Sequence, residues 1–272
     1  MSEAPARELV VVKLGGTTLA DQAGMLDDVA HRSRDLDIVL VHGGGRRLTE
    51  WLARLGVESR FEHGLRVTDD AALEVALAVL RGVVNTELVA ALRASGADAV
   101  GVCGVDGGML VAHRVPQLGR VATVTGARPA LLEALLAMRS VPVVAPLALD
   151  ADGVICNVNA DDAAAGLAGA LRARLVLLTD TDGVRDADGQ RLAAVTDVES
   201  EALIASGVIA GGMVPKVRCS LRALAWGAPQ TIIADGRVPL ALSRALDDPS
   251  FGTRSTAAAA SDHSPRPPAA AV

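Results

Sequence analysis

The sequence predicts an α/β protein, a three-layer α/β/α sandwich around a mainly parallel open sheet. Three observations carry that expectation. Half of the 272 residues are hydrophobic, yet only Trp51, Trp226, Phe61 and Phe251 are aromatic and none is Tyr. Ala, Val and Leu must therefore fill the interior, which suits strands buried on both faces. Short apolar runs alternate with helically spaced segments along most of the chain. Glycine clusters follow several of those runs, at the strand ends where an open sheet receives ligands.

The elements follow in order. Leu9–Leu14 and 38–41 read as buried strands that end in Gly15-Gly16 and Gly43-Gly44-Gly45. Residues 25–34 between them have helical character, and Leu48, Trp51, Leu52 and Leu55 after them fall at helical spacing. Thr68-Asp69-Asp70 signals a helix start; Leu73, Val75, Ala76, Val79 and Leu80 continue it, with an interruption expected at Gly82 before Leu88, Val89 and Leu92. A strand returns at 97–103. Segments 109–115 and 120–124 flank Pro116 to Gly119 as a hairpin beside the sheet. A helix at 131–138, a strand at 141–144, a turn at 150–153 and a strand at 154–158 lead to an Ala-rich helix at 160–172. A strand at 175–178, a turn at Asp188-Gly189, helices at 198–206 and 214–226, and a last clear core strand at 231–234 complete the pattern.

Composition excludes several function classes. Twenty-six Lys plus Arg against 32 Asp plus Glu give a net charge of −6 with no basic run, so no nucleic-acid partner is expected. Cys103, Cys156 and Cys219 are odd in number and widely spaced, which fits buried reduced thiols rather than a disulfide framework. No uninterrupted apolar span of ~18 residues and no signal peptide stand out, so the chain is expected to be cytoplasmic with no membrane partner. The five histidines, His31, His42, His63, His113 and His263, show no metal-ligand spacing, and no GxSxG is present.

Among 26 cationic side chains only Lys13 and Lys216 are lysine; the other 24 are arginine. A compact ammonium on a thin stem reaches crowded anions that a guanidinium cannot. Lys13 ends the first strand, followed by Gly15 and Gly16, whose backbone N–H groups can approach a phosphate or simply form a tight turn. His42-Gly43-Gly44-Gly45 repeats the arrangement and opens a helix whose N-terminus favours anions. Neither stretch has P-loop or GxGxxG spacing. Arg66, just ahead of the helix cap, is either a bidentate carboxylate clamp or a solvated surface residue. Alternation along an extended strand would put Asn157, Asn159 and Asp161 on one side, suited to an amide-bearing substrate; alternatively Asn159 or Asp161 caps the next helix. Thr179-Asp180-Thr181-Asp182-Gly183 is either a nucleotide contact or a turn. Lys216 sits in the first turns of a helix after Gly211-Gly212-Met213, where the dipole disfavours a cation unless an anion binds. These parts suit phosphoryl transfer by positioning and charge neutralisation, and a carboxylate acceptor would need no general base.

With VVKLGG, VHGGG, HGLRVTD, GVDGG, ICNVNADDAA, LLTDTDGV and GGMVPKV in order from Leu9 to Arg254, the chain resembles the amino acid kinase family, and within it the branch acting on N-acetyl-L-glutamate. The resemblance implies that Lys13 and Lys216 flank the transferring phosphoryl group, that Asp161 orients both, and that Gly44 and Gly45 N–H groups bind phosphoryl and substrate oxygens. It places Arg66 on a substrate carboxylate and Asn157, backed by Asn159, at the acetamido end. Gly15, Gly16, Asp180, Thr181, Asp182, Gly183, Val184, Gly211, Gly212 and Met213 fall where the family holds ATP, with Mg²⁺ bound through the ATP phosphates and no protein metal site. The implied organisation is one domain over 1–254, with an acid-binding lobe at about 9–172 and an ATP-binding lobe at about 173–254, followed by a disordered Ala, Ser and Pro tail at 255–272. The implied product is an acyl phosphate in arginine biosynthesis. Asn85-Thr86 departs from the family's usual Asn-Lys, and 119–129 fits loosely. Only twelve residues precede Lys13, from which a homodimer without arginine feedback is expected. Two other readings remain: a kinase of carrier-protein-linked α-aminoadipate or glutamate, and a non-catalytic regulatory homologue.

Overall fold

Buried apolar alternation on each side of a parallel sheet produces the observed architecture, in a computed structural model that describes residues 7–15, 23–62 and 64–256. The first half comprises β1 (Leu9–Leu14), α1 (Ala23–Arg32), β2 (Asp37–His42), α2 (Gly45–Arg54), β3 (Phe61–Glu62), β4 (Leu65–Arg66), α3 (Asp70–Ala76), α4 (Asn85–Ala94), β5 (Ala99–Cys103), β6 (Leu110–Arg114), β7 (Val121–Ala127), α5 (Ala130–Ala137), β8 (Val141–Ala145), β9 (Leu147–Leu149) and β10 (Ile155–Val158). Then come α6 (Ala160–Leu171), β11 (Arg174–Thr179), β12 (Ala194–Val195), α7 (Asp197–Ala205), α8 (Met213–Ala225), β13 (Thr231–Asp235), α9 (Ala241–Asp247) and β14 (Thr253–Ser255).

Eight strands form one sheet in the order β12-β14-β13-β11-β1-β2-β8-β5. Every pair is parallel except β13 with β14. The chain leaves β1 toward β2 on one side and later returns to β11 on the other, so the strand order reverses at β1. Such a switch point opens a crevice at the C-terminal strand ends. Residues alternate between the faces as the pleat requires. Val10, Val12, Ile38 and Leu40 pack with α1, α4 and α9 through Leu26, Leu88, Leu92 and Leu242. Val11, Val39 and Val41 pack on the opposite face with α5, α6 and α8 through Leu132, Leu167, Val217 and Ala223. These are the three layers.

Four sequence expectations are corrected. The hairpin does form, β6 with β7, but it closes with β9 and β10 into a four-stranded barrel packed under α6. The helix beginning at Asp70 does not break at Gly82; it widens into a π-helical segment, Leu77–Val84, and runs on into α4. The strand at 231–234 is not the last one, because β14 pairs with β13 and carries Ser255, which the sequence assigned to the tail. Residues 257–272 of that tail, and His63, lie outside the described residues. Residues 70–94 are also long and apolar enough, by length and mean hydropathy of 1.7, to cross a membrane. Val75, Val79, Leu80, Leu88 and Leu92 on that helix are buried in the cores.

Candidate active site

Lys13 stands one pleat beyond Val11, so it faces the α6 side of the sheet at the C-terminal end of β1. The helix α6 starts directly beneath it. Asn159 is the N-cap, and its side-chain oxygen accepts the Asp161 N–H at 2.8 Å. The helix therefore begins at Ala160 rather than extending the strand, and the expected alternation of Asn157, Asn159 and Asp161 stops at Asn159. Asp161 turns instead toward the sheet. Its carboxylate lies 2.7 Å from Lys13 Nζ and 3.6 Å from Lys216 Nζ. Lys216 arrives from the first turn of α8, 203 positions after Lys13 in the chain. Burial by itself would raise the Asp161 carboxyl, but the two ammonium groups outweigh it and hold the group below its ordinary value. Two cations on one anion leave an excess positive charge in a site where Lys13 is only 8% exposed. An anionic ligand would compensate it.

A second anion-favouring feature lies beside the first. Gly43 N–H donates to Leu14 O across the strand ends, and α2 begins at Gly45 with Gly44 as its N-cap. Close packing favours glycine at 44, where a Cβ would sit 2.5 Å from the Leu80 Cδ2 methyl and push it aside, whereas Gly45 faces open space. His42 anchors this loop from below. Its Nδ1 lies 2.6 Å from the Gly43 carbonyl, which can only accept, so Nδ1 carries the proton and Nε2 accepts from Asn85 Nδ2 at 3.1 Å. Burial lowers the His42 pKa to about 4, which keeps the ring neutral. Asn85 is itself fully buried, donates to Val143 O and accepts from Arg81.

Arg66 is buried rather than a solvated surface residue. Its Nη2 donates to Gly45 O at 3.0 Å and Thr49 Oγ1 at 2.7 Å, its Nη1 donates to Ser59 Oγ, and Phe61 covers it at 4.5 Å. Burial lowers its pKa from the usual guanidinium value. Among the described residues no carboxylate pairs with it, so this buried guanidinium also lacks a counter-anion.

Comparison with known proteins now bears on these motifs. The sequence profile of the amino acid kinase family matches residues 8–235. The chain belongs to the amino acid kinase family. It is 48% identical over 246 residues to the acetylglutamate kinase of Rubrobacter xylanophilus, covering 90% of this chain and 95% of that one. It is 45% identical over 252 residues to the acetylglutamate kinase of Solibacter usitatus, covering 90% and 98%. The N-acetylglutamate synthase of Neisseria gonorrhoeae shares the fold with a TM-score of 0.81 at 23% identity, over 93% of this chain and 60% of that one. The carbamate kinase of Giardia lamblia does so with a TM-score of 0.68 at 18% identity, over 93% and 99%.

The remaining candidates divide within this amino acid kinase fold. Asn157, on β10, directs its amide nitrogen to within 3.5 Å of buried Thr68 Oγ1, which ties it to the Arg66 segment. Asn159 has its amide oxygen committed to the helix cap. On the other side of β1, Gly15 N–H donates to Leu178 O, and Asp180 is exposed at the end of β11. The Thr179 hydroxyl hydrogen-bonded to Asp180 holds its carboxyl below the usual value, with its own backbone N–H and Lys216 assisting. Asp182 is engaged by Arg185. Thr181 donates to Gly183 O. Gly183 is a packing glycine, since a Cβ would meet Thr253 Oγ1 at 2.4 Å, and Val184 is a core residue, so only backbone there could meet a ligand. Gly211 and Gly212 are exposed at the start of α8, with Met213 half-buried. Gly16 lies outside the described residues. Among the described residues no group of three or more His, Cys, Asp or Glu could hold a metal ion.

Sequence reasoning missed His42 and Asn85 as a support for the glycine loop, although Asn85 is one of only three asparagines. It also missed Asp162 and Arg222, an ion pair of a buried carboxylate and a half-buried guanidinium beside Asp161. Asp162 adjoins a recognised residue and was open to suspicion; Arg222 is lost among 24 arginines.

Proposed function

We propose that the protein transfers the γ-phosphoryl group of ATP to the side-chain carboxylate of N-acetyl-L-glutamate, as a step of arginine biosynthesis. The observation that carries this reading is the pair of lysine ammonium groups on the single carboxylate of Asp161 at the sheet's switch point. An oxygen of the acceptor carboxylate forms the new O–P bond while the bond between the γ-phosphorus and the β–γ bridging oxygen breaks, giving an acyl phosphate and ADP. The acceptor is already ionised at neutral pH, so no base is needed. Lys13 and Lys216 take up charge on the travelling group, and Asp161 holds both ammoniums in place. The Gly44 and Gly45 N–H groups bind phosphoryl and substrate oxygens. Arg66 takes a substrate carboxylate, and Asn157, with the free amide end of Asn159, takes the acetamido group.

In the same reading ATP lies over the switch point along Gly15, Gly16, Asp180–Val184 and Gly211–Met213, where Asp180, Gly211 and Gly212 are exposed and the positive end of α8 suits phosphates. Mg²⁺ enters with the ATP phosphates; among the described residues no group of three or more His, Cys, Asp or Glu could hold it. The acid is bound by the lobe at about 9–172, and ATP by the lobe at about 173–254 together with Gly15 and Gly16 after β1. The three free, buried cysteines suit the cytoplasm. We also propose that the chain works as a homodimer; a sizing column separates dimer from monomer.

The decisive assay incubates the protein with MgATP, a candidate acid and hydroxylamine, which traps an acyl phosphate as a coloured hydroxamate. Signal with N-acetyl-L-glutamate is the expected result. Turnover only with carrier-linked α-aminoadipate or glutamate would replace the substrate, and no turnover with any acid would leave a regulatory protein.

A further inference from the structure

We infer that the ion pair between buried Asp162 and half-buried Arg222 is a positioning device, setting the axial register of α8 so that Lys216 meets the carboxylate it shares with Lys13. The inference rests on the kinase reading above and adds to it two residues that touch neither substrate.

Asp162 follows Asp161 on α6, and neighbouring helical residues point about 100° apart, so the two carboxylates serve different partners. Asp161 faces the lysines. Asp162 is 5% exposed, and its Oδ2 accepts the Val124 N–H of the barrel strand β7 at 2.8 Å. Its Oδ1 pairs with Arg222 Nη1. Arg222 lies six residues after Lys216 on the same helix, about 9 Å along the axis. One rigid element thus carries both the ammonium at the reaction centre and the guanidinium that anchors it.

The contact around the pair is tight but lacks direction. A Cβ on Gly169 would lie 2.4 Å from Trp226 Cβ, and one on Gly166 would lie 2.8 Å from Val124 Cγ1. Glycine therefore lets α6 meet the end of α8 at close range. Apolar packing of this kind opposes separation more than it opposes sliding. An ion pair between two helices sets a position along the axis, and this registry role is the best-attested use of such pairs. Arg222 Nη2 also lies 3.9 Å from Cys219 Sγ, and its guanidinium 5.9 Å from the Trp226 ring. Burial, with the neighbouring Asp161 charge, pushes the Asp162 carboxyl above its ordinary value, and Arg222 and the Val124 N–H work against that rise. Lys216 sits at 3.6 Å from Asp161 where Lys13 sits at 2.7 Å. Its placement thus depends more on where its helix is held. A misplacement of about 1 Å at a reacting group can cost ~10²-fold in rate.

The test measures steady-state hydroxamate formation by the full chain and by Arg222→Ala, Arg222→Lys and Asp162→Asn, the last two keeping the shape of the site should Arg222→Ala fail to fold. Lys216→Ala is made alone and combined with each. We expect Arg222→Ala and Asp162→Asn to lower kcat by about 10-fold or more, with KM for N-acetyl-L-glutamate within twofold of the parent, and Arg222→Lys to recover part of the loss. In the Lys216→Ala background the same substitutions should change kcat by less than twofold, because the lysine they position is gone. A lowered melting temperature with unchanged kcat would make the pair merely structural and overturn the inference. So would an equal loss of kcat with and without Lys216. Absence of hydroxamate from the parent protein would instead sink the kinase reading, and this inference with it.

Discussion

The two sides of the cleft at β1 are built in contrasting ways. On the side of β2, the groups that face the cleft are buried and held. Arg66 has three protein partners and an aromatic cover, and His42 is wedged between Gly43 O and Asn85. On the side of β11, Asp180, Gly211 and Gly212 are exposed, and Asp182 is spent on Arg185. A rigid, desolvated pocket discriminates between small acids by leaving its own charges unpaired when the wrong one enters. An open edge of glycine and helix terminus binds phosphates, which every nucleotide triphosphate carries. Selectivity in the proposed reaction therefore belongs to the β2 side, and the β11 side supplies a common currency of charge.

The lysines belong to both sides, and replacing them should have the largest effect. Lys13→Ala or Lys216→Ala should lower kcat by on the order of 10²-fold or more with smaller changes in either KM; a normal kcat in Lys216→Ala would refute its role. Lys13→Arg should also be poor, because the bulkier guanidinium must fit beside Asp161 in a buried site.

The next test concerns rigidity on the β2 side. His42 has a folded pKa of about 4 against 6.5 when unfolded, so between those values the unfolded chain binds a proton that the folded one refuses. Stability should therefore rise with pH from about 4 to 6.5, by up to roughly 3 kcal/mol from this group. Chemical denaturation at pH 4.5 and 7 should show that difference shrink in His42→Gln. An unchanged difference would mean that the ring is not the buried neutral anchor described here.

Arg66→Ala separates the two sides directly. It should raise KM for the acid by about 30-fold, corresponding to ~2 kcal/mol for a lost charge-assisted contact, and leave KM for MgATP alone. Equal effects on both constants would erase the division. Gly44→Ala should cost about 1–3 kcal/mol of stability against Leu80, while Gly45→Ala, facing open space, should cost less; thermal melts compare them. The smallest change is expected at the exposed edge, where Asp180→Asn should alter KM for MgATP by no more than about fivefold, because solvent screens an exposed charge.

Much of this was legible in the chain itself, for reasons that differ by residue. Lys13, Lys216 and Asp161 stood out because lysine is scarce and the apolar runs place strand ends and helix starts beside them. Their meeting depends on the β1–β11 pairing and the α6 start, which no local pattern reports. Asn159 presented two chemistries, and only the turn of the chain at Ala160 decides that its oxygen caps the helix. Gly82 looks like a breaker by propensity, but a helix packed through Val79, Leu80 and Leu88 absorbs it by widening into a π-helical segment. The barrel was missed because β9 is three residues long and follows Pro146 immediately, too short to show alternation. Arg222 and Asp162 are 60 positions apart, and ion-pair partners at that distance leave no periodic trace.

The strand that carries Lys13 is hydrogen-bonded along both edges, from Leu9 to Leu14 with β2 and from Val10 to Leu14 with β11. To slide it by one residue would break two ladders at once and turn Lys13 and each valine toward the opposite layer of helices. Its ammonium is thus a stationary reference point, like the anvil of a press, and whatever travel brings donor and acceptor together must come from the parts mounted around it.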